Sequence, residues 1–253
     1  MRLLRGLEAV HSSRCTAIKL RFLVNCVNDV KTVLSSSLWL HIYVSTVNRY
    51  KVLRYTQIGK HITYDVLLNF PRLFDPYKYQ LLQRLCSEGA LHNLIKIHDR
   101  FEWPGGDIRS NENTVFRNTC ANGHLDTVKW LYTTFQLTVV DARSANNSAF
   151  RYACVNNHLD MAQWLHTTFQ LTIKDARSAN NHAFRYACEN GHLDVAKWLH
   201  TTFQLTVDDA RFHLNQAFRY ACVNNHLDVA QWLHTTFQLT IDDARYCNSE
   251  AFR

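Results

Sequence analysis

Five of the eight cysteines stand in strict register: Cys86, Cys120, Cys154, Cys188 and Cys222 lie 34 residues apart without a slip. From the second onward, each is followed four residues later by a histidine, namely His124, His158, His192 and His226. Zinc ligands can be arranged in this way. However, zinc requires four ligands converging at about 2.0–2.3 Å, and each 34-residue unit offers only two. No metal is therefore expected. Disulfides are excluded by a similar argument: equivalent positions on stacked helices are about 8–10 Å apart, whereas a disulfide needs Cα atoms closer than about 7 Å. The cysteines read as small, buried, reduced core residues, which suits an intracellular and most simply a cytoplasmic chain.

The remaining reactive residue types are laddered in the same way. Asp141-Ala-Arg143, Asp175-Ala-Arg177 and Asp209-Ala-Arg211 recur in every unit. A residue that recurs in every unit serves the unit, and catalysis needs one site rather than a ladder. There is no nucleophile with a base and no phosphate-cradling glycine loop. The sequence predicts no catalytic residue, no cofactor and no enzymatic activity.

The repeat itself defines the elements. Phe150, Phe184, Phe218 and Phe252 share the 34-residue step, as do Trp130, Trp164, Trp198 and Trp232. Within one unit, Phe184, Ala187 and Cys188 fall at i, i+3 and i+4, on one stripe of a short helix A. Asn190-Gly191 interrupts that helix, and sister units place Asn157 or Asn225 where Gly stands, the other residue type that readily takes a left-handed conformation. Leu193, Ala196, Leu199 and Phe203 then mark the apolar stripe of helix B, with Asp194 at the positive end of its dipole. Helices this short are marginal alone, so the units must stack into one continuous core.

The segment Ala187-Cys-Glu-Asn-Gly-His-Leu-Asp-Val-Ala-Lys-Trp-Leu199 resembles the ankyrin repeat and its A-A-x-x-G-H-L-E-V-V-K-L-L stretch, in the divergent 34-residue form found in giant viruses of amoebae and in protists. The resemblance runs from Leu82 to the C-terminus and implies an all-α solenoid of helix pairs. Two features depart from the family. Its T-P-L-H helix start is replaced by Ser148-Ala-Phe-Arg, His182-Ala-Phe-Arg and Gln216-Ala-Phe-Arg. Its Gly-rich hairpin finger is replaced by Thr201-Thr-Phe-Gln-Leu-Thr-Val-Asp-Asp-Ala-Arg211, which has neither Gly nor Pro. Thr206 followed three residues on by Asp209 reads as a helix-start box, so the sequence predicts short turns or one-turn helices in place of the fingers. A tetratricopeptide unit also has 34 residues, but its Pro and Gly-Tyr positions are missing here.

Of the 253 residues, the first 60 hold ten Lys and Arg against Glu8 and Asp29, so this segment is strongly basic while the rest is near neutral. Residues 1–76 read as a basic N-terminal region of uncertain fold. Met1 to Asn28 is Arg-rich without the apolar core of a secretory signal, Val33 to Val44 is too short to span a bilayer, and Val52 to Leu67 reads as a loose hairpin. Residues 77–253 form the array, with units near 77–110, 111–144, 145–178, 179–212 and 213–246 and an incomplete one at 247–253. The first unit reads as a degenerate cap.

The resemblance implies a monomeric, non-enzymatic scaffold that binds an unidentified protein partner on the concave side made by helix A and the linkers. An adaptor, with residues 1–76 recruiting a component such as a ubiquitin ligase, is the second reading. Nucleic-acid or anionic-surface binding through the basic N-terminus is the third, and it is disfavoured because charge alone usually marks a solvated face. Comparison of the units locates the partner site where sequence drifts, just before each Ala-Phe-Arg. The candidates are Ser144, Ala145 and Asn147, then Ser178, Ala179 and Asn181, then Phe212, His213 and Asn215, and finally Tyr246 and Cys247.

Overall fold

The computed structural model describes residues 74–240 and 242–243. The expectations for most of residues 1–76, for the incomplete unit at 247–253, and for Tyr246 and Cys247 lie outside the described residues. Twelve helices follow one another: α1 (Phe74–Ser87), α2 (Leu91–Phe101), α3 (Gly105–Ala121), α4 (Leu125–Phe135), α5 (Val139–Ala142), α6 (Ser144–Val155), α7 (Leu159–Phe169), α8 (Ile173–Ala176), α9 (Ser178–Glu189), α10 (Leu193–Phe203), α11 (Val207–Val223) and α12 (Leu227–Phe237). No strand occurs among the described residues. The described residues divide into two bodies. One contains residues 74–84 and 96–102; in it, Gln83 donates to the Tyr79 hydroxyl one turn back at 3.1 Å. The other, residues 85–95 and the described residues from 103 on, contains the repeats.

In the repeat body, helix A is the Phe-bearing part of α3, α6, α9 and α11, and helix B is α4, α7, α10 and α12. Phe150, Ala153 and Cys154 are buried together, as the i, i+3, i+4 spacing requires. On the B helices, Leu131, Leu165, Leu199 and Leu233 are fully buried. Helices A of successive units pack directly on one another, whereas helices B lie chiefly against their own helix A. Rings close the remaining gap. Phe150 meets Phe203 of the next unit with centroids 5.8 Å apart, and His166 meets the same ring at 5.0 Å, both edge to face. Phe184 and His200 repeat this arrangement on Phe237 at 6.1 and 5.0 Å. Edge-to-face pairs contribute about 0.5–1.5 kcal/mol each beyond their burial, so the ladder ties each unit to its neighbour.

The turn from A to B is also shared between units. Gly191 has φ +77°, and a Cβ there would sit 2.5 Å from the His226 ring of the following unit. Asn157 and Asn225 take the left-handed conformation where Gly is absent. His192 and Asn190 reach back to the Val155 carbonyl at 3.0 Å each, so this histidine column is bonded into the stack. Helix B ends on a left-handed glutamine, Gln136, Gln170, Gln204 or Gln238. The linker then forms a one-turn helix rather than a hairpin. Thr206 and Asp209 form the predicted capping box, with the Thr206 amide donating to the carboxylate at 2.8 Å, and Thr138–Asp141 and Thr172–Asp175 do the same.

Candidate interaction surface

The Asp of each linker has a second task. Arg143 donates to both oxygens of Asp175 at 2.7 and 2.9 Å, and Arg177 to both of Asp209 at 2.7 and 2.8 Å, each across a unit boundary. Arg109–Asp141 and Arg211–Asp243 extend the column. Burial pushes the Asp175 carboxyl up, but bonds from Arg143 and Thr172 more than offset this and hold it at about 2. Asp209 is held below the usual carboxylate range by the same balance.

Between each Arg and the next helix A lies a feature that residue types alone do not announce. Ala145, Asn146 and Asn147 all have positive φ, at 48°, 55° and 58°, so they form one left-handed turn ahead of Ser148. Ala179 to Asn181 and His213 to Asn215 repeat it. For L-residues this conformation costs roughly 1–2 kcal/mol each, so something must hold it in place. The Arg of Ala-Phe-Arg supplies the clamp. Arg151 donates to the Asn146 and Ala145 carbonyls at 2.7 and 3.1 Å, Arg185 to Asn180 at 2.6 Å, and Arg117 to Glu112 at 2.7 Å. Asn supplies a second tether, since Asn147 and Asn181 donate to Asp175 and Asp209, the carboxylates at the far end of their own units, at 3.2 and 3.1 Å.

The segments before Ala-Phe-Arg are therefore not loose loops in which packing decides nothing. Asn147, Asn181 and Asn215 are buried and turned into the inter-unit bonding. Ser144 and Ala145 are half-buried, Ser178 likewise, and Ala179 is exposed. Phe212 and His213 are exposed, with Leu214 beside them. On the adjoining helix A surface, Tyr152 and Tyr220 stand exposed and Tyr186 is half-buried between them.

Among the described residues no group of three or more His, Cys, Asp or Glu could hold a metal ion. Cys86, Cys120, Cys154 and Cys188 are buried and Cys222 half-buried; burial, partly offset by a Thr119 bond, pushes Cys86 up to about 12, and burial raises Cys120, Cys154 and Cys188 as well. No described helix is long and apolar enough to cross a membrane. No curated protein matches the chain. Residues 116–166, which span one helix A, its helix B, the linker and the next helix pair, match the family described as ankyrin repeats (many copies). Residues 116–166 are therefore ankyrin repeats, and the described helices on both sides of the match repeat the same unit in register.

Proposed function

We propose that this chain is a non-enzymatic scaffold that holds a protein partner on the side made by helix A and the left-handed turns. Ankyrin repeats generally mediate protein–protein interaction, and the closer packing of successive A helices supports a concave surface on that side. One observation carries the reading to particular residues. In two units the turn reads Ser-Ala-Asn-Asn, whereas in the fifth it reads Phe212-His-Leu-Asn215. Leu214 is held at φ 61° and is 48% exposed, next to Phe212 at 41%. A leucine that is both in a strained conformation and in water breaks two local rules at once, and such violations collect at functional sites. The experiment is capture of partner from lysate by the full chain and by the Phe212→Ala/His213→Ala double variant. Binding of the captured partner should weaken by about 2 kcal/mol or more, as loss of an aromatic anchor does, with helical signal and melting temperature unchanged. Unaltered affinity moves the site off this face.

A further inference from the structure

A second column of arginines runs down the A helices, and among the described residues none of them is paired with a carboxylate as Arg143 is with Asp175. Arg151 makes both of its hydrogen bonds to turn carbonyls. Arg117 donates to the turn and to the Ser148 hydroxyl at 3.3 Å, and Arg219 to the Leu214 carbonyl at 3.3 Å. Arg185 donates to Asn180 and to the Gln216 amide oxygen, and the one described acid in this column, Glu189, accepts from Gln216 at 2.8 Å and acts on Arg185 through space without a direct bond. Arg151 and Arg185 are 9% and 5% exposed. Arginine keeps its charge in proteins, and arginines buried this deeply normally have a carboxylate partner. Here the positive field is directed outward through whatever covers it.

What covers it is a row of rings. Tyr152, Tyr186 and Tyr220 each have the neighbouring guanidinium at 5.5, 5.5 and 5.7 Å from the ring centroid. His182 bridges two of them, 5.6 Å from Tyr152 and 4.3 Å from Tyr186. Where Ser148 and Gln216 accept from the arginine of the preceding unit, His182 does not, and its Nδ1 is buried without a hydrogen-bond partner among the described residues. Burial, with Arg151 and Arg185 alongside, brings His182 down to about 4, so it stays neutral at pH 7 and adds no charge to the column.

The geometry points to an acidic, extended segment of the partner protein lying along Tyr152, His182, Tyr186 and Tyr220, its carboxylates drawn to the arginine column beneath. This inference rests on the proposal that the A-helix side is the partner side. Successive packed helices are about 8–10 Å apart, and a segment extended as polyproline II rises about 3.1 Å per residue with three residues per turn, so acidic residues recurring at every third position fall on one face and match the column.

The test is selection of a random peptide library displayed on phage against the full chain, against Tyr152→Ala/Tyr186→Ala, and against His182→Glu, with single-stranded DNA and phosphatidylserine vesicles as separate arms. Peptides with Asp or Glu at every third position should be enriched, should bind more weakly as salt rises, and should lose roughly tenfold or more in affinity to the tyrosine double variant. His182→Glu should abolish the acidic preference. The tyrosine pair leaves the turn clamps intact, so it remains informative if an arginine variant fails to fold. Enrichment of neutral or basic peptides, enrichment of none, or preferential retention of DNA or vesicles overturns the inference. If the partner is still lost on Phe212→Ala/His213→Ala while no acidic peptide is selected, the acidic track falls and the scaffold reading stands.

Discussion

Arg143 and Asp175 lie 32 residues apart in the chain and meet through two hydrogen bonds at 2.7 and 2.9 Å, and the same carboxylate closes the capping box on Thr172. One side chain therefore starts a helix, binds the previous unit and receives the Asn147 amide. Asp175→Ala removes all three and should destabilise the array by about 3 kcal/mol. Arg143→Gln removes only a half-exposed partner and should cost about 1 kcal/mol or less. Urea unfolding of both variants checks this. Equal losses would mean that the ion pair, not the cap, dominates.

Acid should unfold the protein in two stages. His182 is depressed from 6.5 to about 4 on folding, first by burial and then by the two arginines. The unfolded chain thus takes that proton first, and the contribution is complete above 6.5 and lost as pH falls toward 4. Asp175 is depressed from 3.8 to about 2, so its contribution persists above 3.8 and disappears as pH falls through 2. The urea midpoint should decline across both windows, and His182→Gln, the residue type found at Gln216, should make the first shallower, leaving the part due to His192, which burial also lowers. A midpoint flat down to pH 4 in the parent chain would refute the His182 assignment.

How far the sequence reaches is visible in the contrast between Thr206 and Ala145. The box Thr206–Asp209 was legible because its partners are three residues apart and act locally. The Phe, Leu and Cys stripes were legible because an unbroken period reports stacking. The left-handed turn was not, since Ser-Ala-Asn-Asn and Phe-His-Leu-Asn share no strong local preference for it. It is imposed by an arginine five residues ahead and by a carboxylate nearly one repeat away. A signal did exist: Asn113, Asn147, Asn181 and Asn215 stay fixed while the residues just before them drift. That pattern marks an inward residue next to outward ones. Position before Ala-Phe-Arg alone groups Asn147, Asn181 and Asn215 with the drifting residues, and their burial separates them.

Thiol chemistry should follow burial along the cysteine column. Cys120, Cys154 and Cys188 are buried with their pKa values raised, while Cys222 is half-buried and raised too. Because the thiolate is the reactive form, a maleimide at neutral pH should label Cys222 first within this set and spare the other three until the protein is denatured. Rapid native labelling of Cys154 would contradict the packing of the A helices, and a disulfide between any two ladder cysteines would contradict the stacking itself.

Leu214 offers a test in which stability and binding should move in opposite directions. The equivalent residue is Asn146 in one unit and Asn180 in another, and asparagine occupies the left-handed region far more readily than leucine. Leu214→Asn should relieve strain at φ 61° and withdraw an apolar side chain from water. The expected gain is about 0.5–1 kcal/mol, or roughly 1–4 °C in melting temperature for an array of this size. If the exposed Phe212–Leu214 edge is kept for a partner, the same substitution should weaken capture of that partner along with Phe212→Ala/His213→Ala. A variant that gains stability and binds as before would show that the leucine is drift. One that loses stability would show that Leu214 contributes to packing, and the site would then have to be sought among the tyrosines of the A helices.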